Sequence, residues 1–247
     1  MFTVADRRRA HERVLALAED DSRVVAGAVV GSLALADGDP WSDLDLTFAV
    51  ADGIAVSEVL EDWTRTVEAE LGGVQLFDLP AGPSIYRVFL LPGCLQFDLS
   101  FTPASEFGAT SPRFRLLFGS AVERQPLPQP DPDELFGYAV HHALRARFSI
   151  ERGRLWLAEY WTASVRNYAL SLACVDQGLP ALYGRGLDDL PADVLARFDG
   201  ALVRALDRGE LLRALRVGVD GLLHVAGGRG DAVASQLREL VQVDNLS

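Results

Sequence analysis

The chain contains no lysine, so all 23 of its basic residues are arginine. That absence excludes three mechanisms. A phosphate loop of the GxxxxGK[ST] kind needs its lysine, as does a protein-kinase site. Ligases that carry a nucleotide on a lysine amine need one too. Any nucleotide chemistry must therefore run on carboxylates, metal and arginine. Cysteine is nearly absent as well: Cys94 and Cys174 stand far apart without metal-ligand spacing. Neither a disulfide framework nor a zinc cluster is expected, and each cysteine should be a small buried hydrophobe. No run of about 18 uncharged apolar residues occurs, so no membrane span is expected. The first 13 residues carry Asp6, Arg7, Arg8, Arg9 and Glu12 and lack the apolar centre of a signal peptide. These features predict a cytoplasmic protein.

What is present points to a globular protein. Hydrophobic residues make up 49% of 247 positions, enough for a substantial core. The net charge of −12 argues against a nucleic-acid partner, which would call for a basic footprint. An acidic field suits a cationic small molecule better. The oligomeric state is not readable from the sequence.

The first half mixes helix and strand signals. Helical spacing runs from Val4 to Ala18 and from Val56 to Leu71, the latter closing at Gly72-Gly73. Strands are predicted at Arg23–Val30, Leu44–Val50, Val74–Leu79, Tyr86–Leu91 and Leu95–Phe101, the last two joined by the turn Leu91-Pro92-Gly93-Cys94. Asp37-Gly38-Asp39-Pro40 has loop chemistry. The proline-rich stretch 125–132 reads as a linker. After it the strand signal disappears. Helices are predicted at Asp133–Ile150, Glu151–Gln177, Ala192–Asp207, Gly209–Val225 and about Asp231–Val241. The expected fold is α+β, with a small mixed-sheet domain over 1–124 followed by an all-α helical bundle over 133–247.

Asp43 and Asp45 alternate on a predicted strand, so both face the same side while Leu44 and Leu46 face the core. Paired carboxylates of this kind are tolerated where a divalent cation neutralises them, and magnesium prefers oxygen ligands with substrate phosphate. Asp98 sits among apolar neighbours in Leu95–Phe101 and joins the pair if its strand lies alongside. Three converging carboxylates can hold two metal ions. Upstream, a strand ends at Gly31-Ser32, where glycine lets backbone approach a phosphate and Ser32 can begin a short helix. The order strand, Gly-Ser, short helix, turn, Asp-x-Asp strand resembles the DNA polymerase β-like nucleotidyltransferase superfamily. The matching positions are Gly31, Ser32, Asp43, Asp45 and Asp98, with Ser42 beside them. The resemblance covers roughly the first hundred residues. It implies transfer of a nucleoside monophosphate, AMP from ATP, with two Mg²⁺ ions on Asp43, Asp45 and Asp98, and nucleotide held by Gly31, Ser32 and Ser42. The arginine that often follows Gly-Ser in that superfamily is replaced here by Leu33, Ala34 and Leu35, and Arg87 is a candidate substitute.

In the second half Arg152, Glu159 and Arg166 recur every seven residues, with Trp156 on the same stripe. Such a stripe on an otherwise apolar helix is either an internal ion-pair ladder or the wall of a cleft. A nucleotidyltransferase domain followed by a helical bundle resembles the bacterial antibiotic nucleotidyltransferases, which modify aminoglycosides or lincosamides and so confer antibiotic resistance. The resemblance implies a nucleoside triphosphate and a small hydroxylated acceptor as partners. It makes Asp98, Glu151 and Glu159 candidates for taking the acceptor's proton, and Trp156, Glu159 and Arg152 candidates for binding it. The alternative is a nucleotidyltransferase-like binding or antitoxin-type module without turnover. The Arg-then-His helix signature of the associated toxins is missing after Arg152 and Arg166.

Overall fold

The computed structural model describes residues 1–35, 38–126 and 128–242. Ala36 and Asp37, within or beside the expected loop, lie outside the described residues. The chain divides into two compact units, Met1–Leu127 and Pro128–Ser247. The first carries a mixed sheet and two α-helices; the second is helical, so the fold is α+β. No helix among the described residues is long and apolar enough to cross a membrane.

In the first unit, α1 (Val4–Asp20) starts at a capping box in which Thr3 Oγ1 accepts from the Asp6 amide and Asp6 accepts from the Thr3 amide. Six strands follow: β1 (Val24–Val30), β2 (Leu44–Val50), β3 (Val74–Ala81), β4 (Ser84–Leu91), β5 (Leu95–Pro103) and β6 (Phe114–Phe118). Between β2 and β3 runs α2 (Val56–Leu71), closed by Gly72 in the left-handed conformation. The sheet order is β3-β4-β5-β2-β1-β6, antiparallel except for the β2–β5 pair.

One sheet face presents Leu44, Leu46, Phe48, Phe97, Leu99 and Phe101 to Val59, Leu60, Trp63 and Val67 of α2 and to Val14 of α1. This is the core of the unit, with Phe101 edge-on to Trp63 at 5.3 Å between centroids. The opposite face carries Asp45, Asp98, Thr47 and Ser100.

Where α1 ends, Asp21 accepts from the amide, Nε and Nη2 of Arg23 and from Trp63 Nε1. The Arg23 hydrogen bonds are the main cause that holds the Asp21 carboxyl down at about 2. A depressed carboxylate stabilises the fold above its unfolded value, and that contribution is lost as pH falls through the folded one. Asp21→Asn is therefore expected to lower stability at pH 7 by about 2 kcal/mol. The gap from wild type should close between about pH 4 and pH 2. Urea melts across that range check it, and a constant gap would refute the assignment.

The second unit contains α3 (Pro132–Glu151), α4 (Leu155–Asp176), α5 (Ala192–Ala196), α6 (Arg208–Ala226) and α7 (Ala234–Leu240). Asp131 caps α3 with Pro132 in its first turn, and Asp207 caps α6. Leu211, Leu215 and Val219 of α6 pack with Ala158 and Val165 of α4 and Ala143 and Ala146 of α3.

Four sequence expectations need correction. Strand β6 was not anticipated; Phe114–Phe118 is only 5 residues long. The helix expected over Ala192–Asp207 stops at Ala196. Arg213 instead binds the carbonyls of Gly200 and Leu202, an arrangement a continuing helix would forbid. Cys174 is buried, but Cys94 is exposed, in the β4–β5 turn at φ +64°. Finally, Arg152 does not lie on the helix of Glu159 and Arg166. Gly153 adopts φ +65°, and the helix is interrupted between α3 and α4.

Candidate active site

Strand register builds the centre. Parallel pairing sets Asp45 beside Asp98, on a face opposite to Leu44, Leu46 and Leu99. Asp43 directly precedes β2. Each of the three offers a carboxylate oxygen within 4.8 Å of the others', and all are partly buried. Burial is the main influence raising the Asp98 pKa; the charge of Asp43 adds to it, while the hydrogen bond from Gln96 Nε2 at 3.0 Å opposes it. Clustered, partly desolvated carboxylates repel one another, and a divalent cation relieves that repulsion. The donor set, oxygen only, fits Mg²⁺.

Gly31 ends β1 at φ +70°, and a Cβ there would collide with Asp45 Oδ2. Glycine is thus required on two counts, by the left-handed backbone and by the carboxylate pressed against it. Ser32 begins a four-residue 3₁₀ turn, Ser32–Leu35. The structure therefore brings together Gly31, Asp45, Asp98, Asp43 and the flanking Ser32 and Ser42.

Arg7 went unnoticed in the sequence. Only 6% exposed, it reaches from α1 to donate through Nη1 to the carbonyls of Asp39 at 2.9 Å and Ser42 at 2.5 Å. Asp39 closes the same loop, accepting from the Trp41 amide and from Ser42 Oγ. The segment that delivers Asp43 is thereby pinned to α1. No local pattern signals this, because the partners lie 32 and 35 residues apart.

Other expected site residues lie apart from the carboxylates or in the second unit. Arg87 pairs with Leu99 and so projects from the opposite face. Its guanidinium grips Asp78 through Nε and Nη2, both at 2.7 Å, and bonds Thr64 and Glu61. That network is structural, and Arg87 does not join the carboxylate cluster. Glu151 is held by Arg147 and Arg208. The ion-pair ladder is not formed: among the described residues Glu159 has no ion pair, Arg166 bonds Asn167, and Arg152 lies over the Phe148 ring. Trp156 is 78% exposed on the first turn of α4.

No protein-family profile matches the chain, and no curated protein matches it. Among solved structures it is similar to an aminoglycoside 6-adenyltransferase from Bacillus subtilis. The identity is 11% over 94% of this chain and 97% of that one, with a TM-score of 0.41. A likeness so distant carries no argument about activity.

Proposed function

We propose that the first unit is a metal-dependent nucleotidyltransferase that moves a nucleoside monophosphate, AMP from ATP, to a hydroxyl of a small cationic acceptor. The observation that carries this reading is the convergence of Asp43, Asp45 and Asp98 beside Gly31. Asp43, Asp45 and Asp98 would hold Mg²⁺, which when bound neutralises triphosphate charge and activates the reacting oxygens. The backbone at Gly31-Ser32 would receive the phosphate. Asp98, whose carboxylate is made more basic by burial, is proposed to take the acceptor's proton. The acceptor oxygen forms its bond to the α-phosphorus as the bond to pyrophosphate breaks.

A test uses α-labelled ATP, Mg²⁺ and a panel of small hydroxylated amines. Expected are label transfer and release of pyrophosphate, both abolished by chelation. Failure of the purified protein to bind ATP in a metal-dependent way would overturn the proposal.

Glu159 and Trp156 are proposed to bind the acceptor, a reading supported by a carboxylate without an ion pair among the described residues and by an exposed indole. With no ion pair to lose, Glu159→Gln is expected to keep its melting temperature while kcat/KM for the acceptor falls about tenfold. Unchanged kcat/KM would remove Glu159 from the site.

A further inference from the structure

Gln96, Asp98, Ser100 and Thr102 alternate along β5, so all four share the carboxylate face of the sheet. Gln96 bonds Asp98, and Thr102 shares a hydrogen bond of 2.7 Å with Ser84 Oγ. Ser100 lies between these pairs with no exposed surface, and its Oγ has no hydrogen-bond partner among the described residues. Thr47 and Tyr86 stand directly across from it on the two neighbouring strands, yet neither bonds it. Buried hydroxyls elsewhere are paired. Thr64 Oγ1 donates to the Leu60 carbonyl and Thr162 Oγ1 to that of Ala158, both at 2.8 Å. A buried hydroxyl left unpaired costs the fold free energy that an alanine would not. An ordered water is the usual partner of such a group.

Asp98 is the neighbour that gains from it. Among the described residues its carboxylate accepts one hydrogen bond, from the exposed Gln96. Asp45, by contrast, packs against Gly31. A metal ligand holds its orientation through the groups that bond it from behind. Residues two apart on a strand are about 7 Å apart, too far for a direct bond between serine and carboxylate. Leaning toward each other, the two side chains come within the reach of a water that bonds both at about 2.8 Å.

We infer that Ser100 is a positioning residue: its hydroxyl donates to an ordered water, and that water donates to the Asp98 carboxylate and holds it in the orientation that binds metal. The inference rests on the reading of Asp43, Asp45 and Asp98 as a metal site.

The test is Mn²⁺ titration of the full chain without nucleotide, followed by the electron paramagnetic resonance of the free ion. Ser100→Ala should weaken Mn²⁺ about tenfold. Ser100→Thr and Ser100→Val introduce side chains of one shape that differ in the hydroxyl. The first should stay within about threefold of wild type, and the second should lose about tenfold. Metal-free melting curves matching wild type show that each variant is folded. Ser100→Ala adds no bulk and carries the test where the larger side chains do not fold. A crystal structure of the metal-free protein should place one water within about 3.2 Å of both Ser100 Oγ and an Asp98 oxygen. Undiminished Mn²⁺ affinity in Ser100→Ala, Ser100→Val binding as tightly as Ser100→Thr, or a direct bond from Ser100 to Thr47 or Tyr86 overturns the role of Ser100 and leaves the metal site standing. No Mn²⁺ binding by wild type overturns the metal site and the role of Ser100 together.

Discussion

Asp98→Asn is expected to reduce nucleotidyl transfer by about three orders of magnitude while raising the melting temperature of the metal-free protein. The two effects share a cause. Burial disfavours the Asp98 charge, and the charge of Asp43 disfavours it further. A neutral amide of the same shape removes that strain, so the empty site becomes easier to fold. The same change withdraws one of the three carboxylates that converge here and the group proposed above as the base. Loss of charge stabilisation by bound metal is worth several kcal/mol, and about 4 kcal/mol is a thousandfold in rate. Calorimetry with and without Mg²⁺, alongside the transfer assay, separates the terms. A metal-free melting temperature that falls, with Mg²⁺ affinity unchanged, would mean that Asp98 is a structural residue.

Gly31→Ala should have the next largest effect. The added methyl group meets Asp45 Oδ2 and must also be carried at φ +70°. Left-handed backbone costs an alanine about 1 kcal/mol, a tolerable loss for the fold. The carboxylate cannot stay where it is, and displacing a ligand or its support costs about 10–100-fold in metal affinity. The expected variant is folded, slightly less stable and weak in Mg²⁺ binding. Metal affinity equal to wild type would show that Asp45 can move without consequence.

Much of this was legible beforehand because it is local. Alternation put Leu44 and Leu46 on one face and Asp45 on the other, and β2–β5 register then completed the cluster at Asp98. Gly31 could be singled out because Gly31-Ser32 ends a predicted strand at short spacing before Asp43-Leu44-Asp45. What escaped is nonlocal. Arg7 reads as part of a polar helical turn, yet it is buried on the loop of Ser42. Arg87 reads as a basic residue near the site, but the partner that decides its face is Leu99. The stripe from Arg152 to Arg166 had the right period for one helix, and a single left-handed glycine at 153 cut it. Among the described residues strand β6 pairs with β1 alone, and it has too few residues for a periodic signal.

Strand β3 has every residue exposed, including Val74, Leu76, Phe77 and Leu79, and it ends the sheet. An apolar edge of that kind is a template on which other chains can build fibrils. Here the ladder with β4 slips between Gln75 and Phe77, and Pro80 interrupts the row of amide donors further along. Asp78, its carboxylate gripped by Arg87, adds a charge to the same edge. Each of these interruptions works against edge-to-edge pairing with a second sheet.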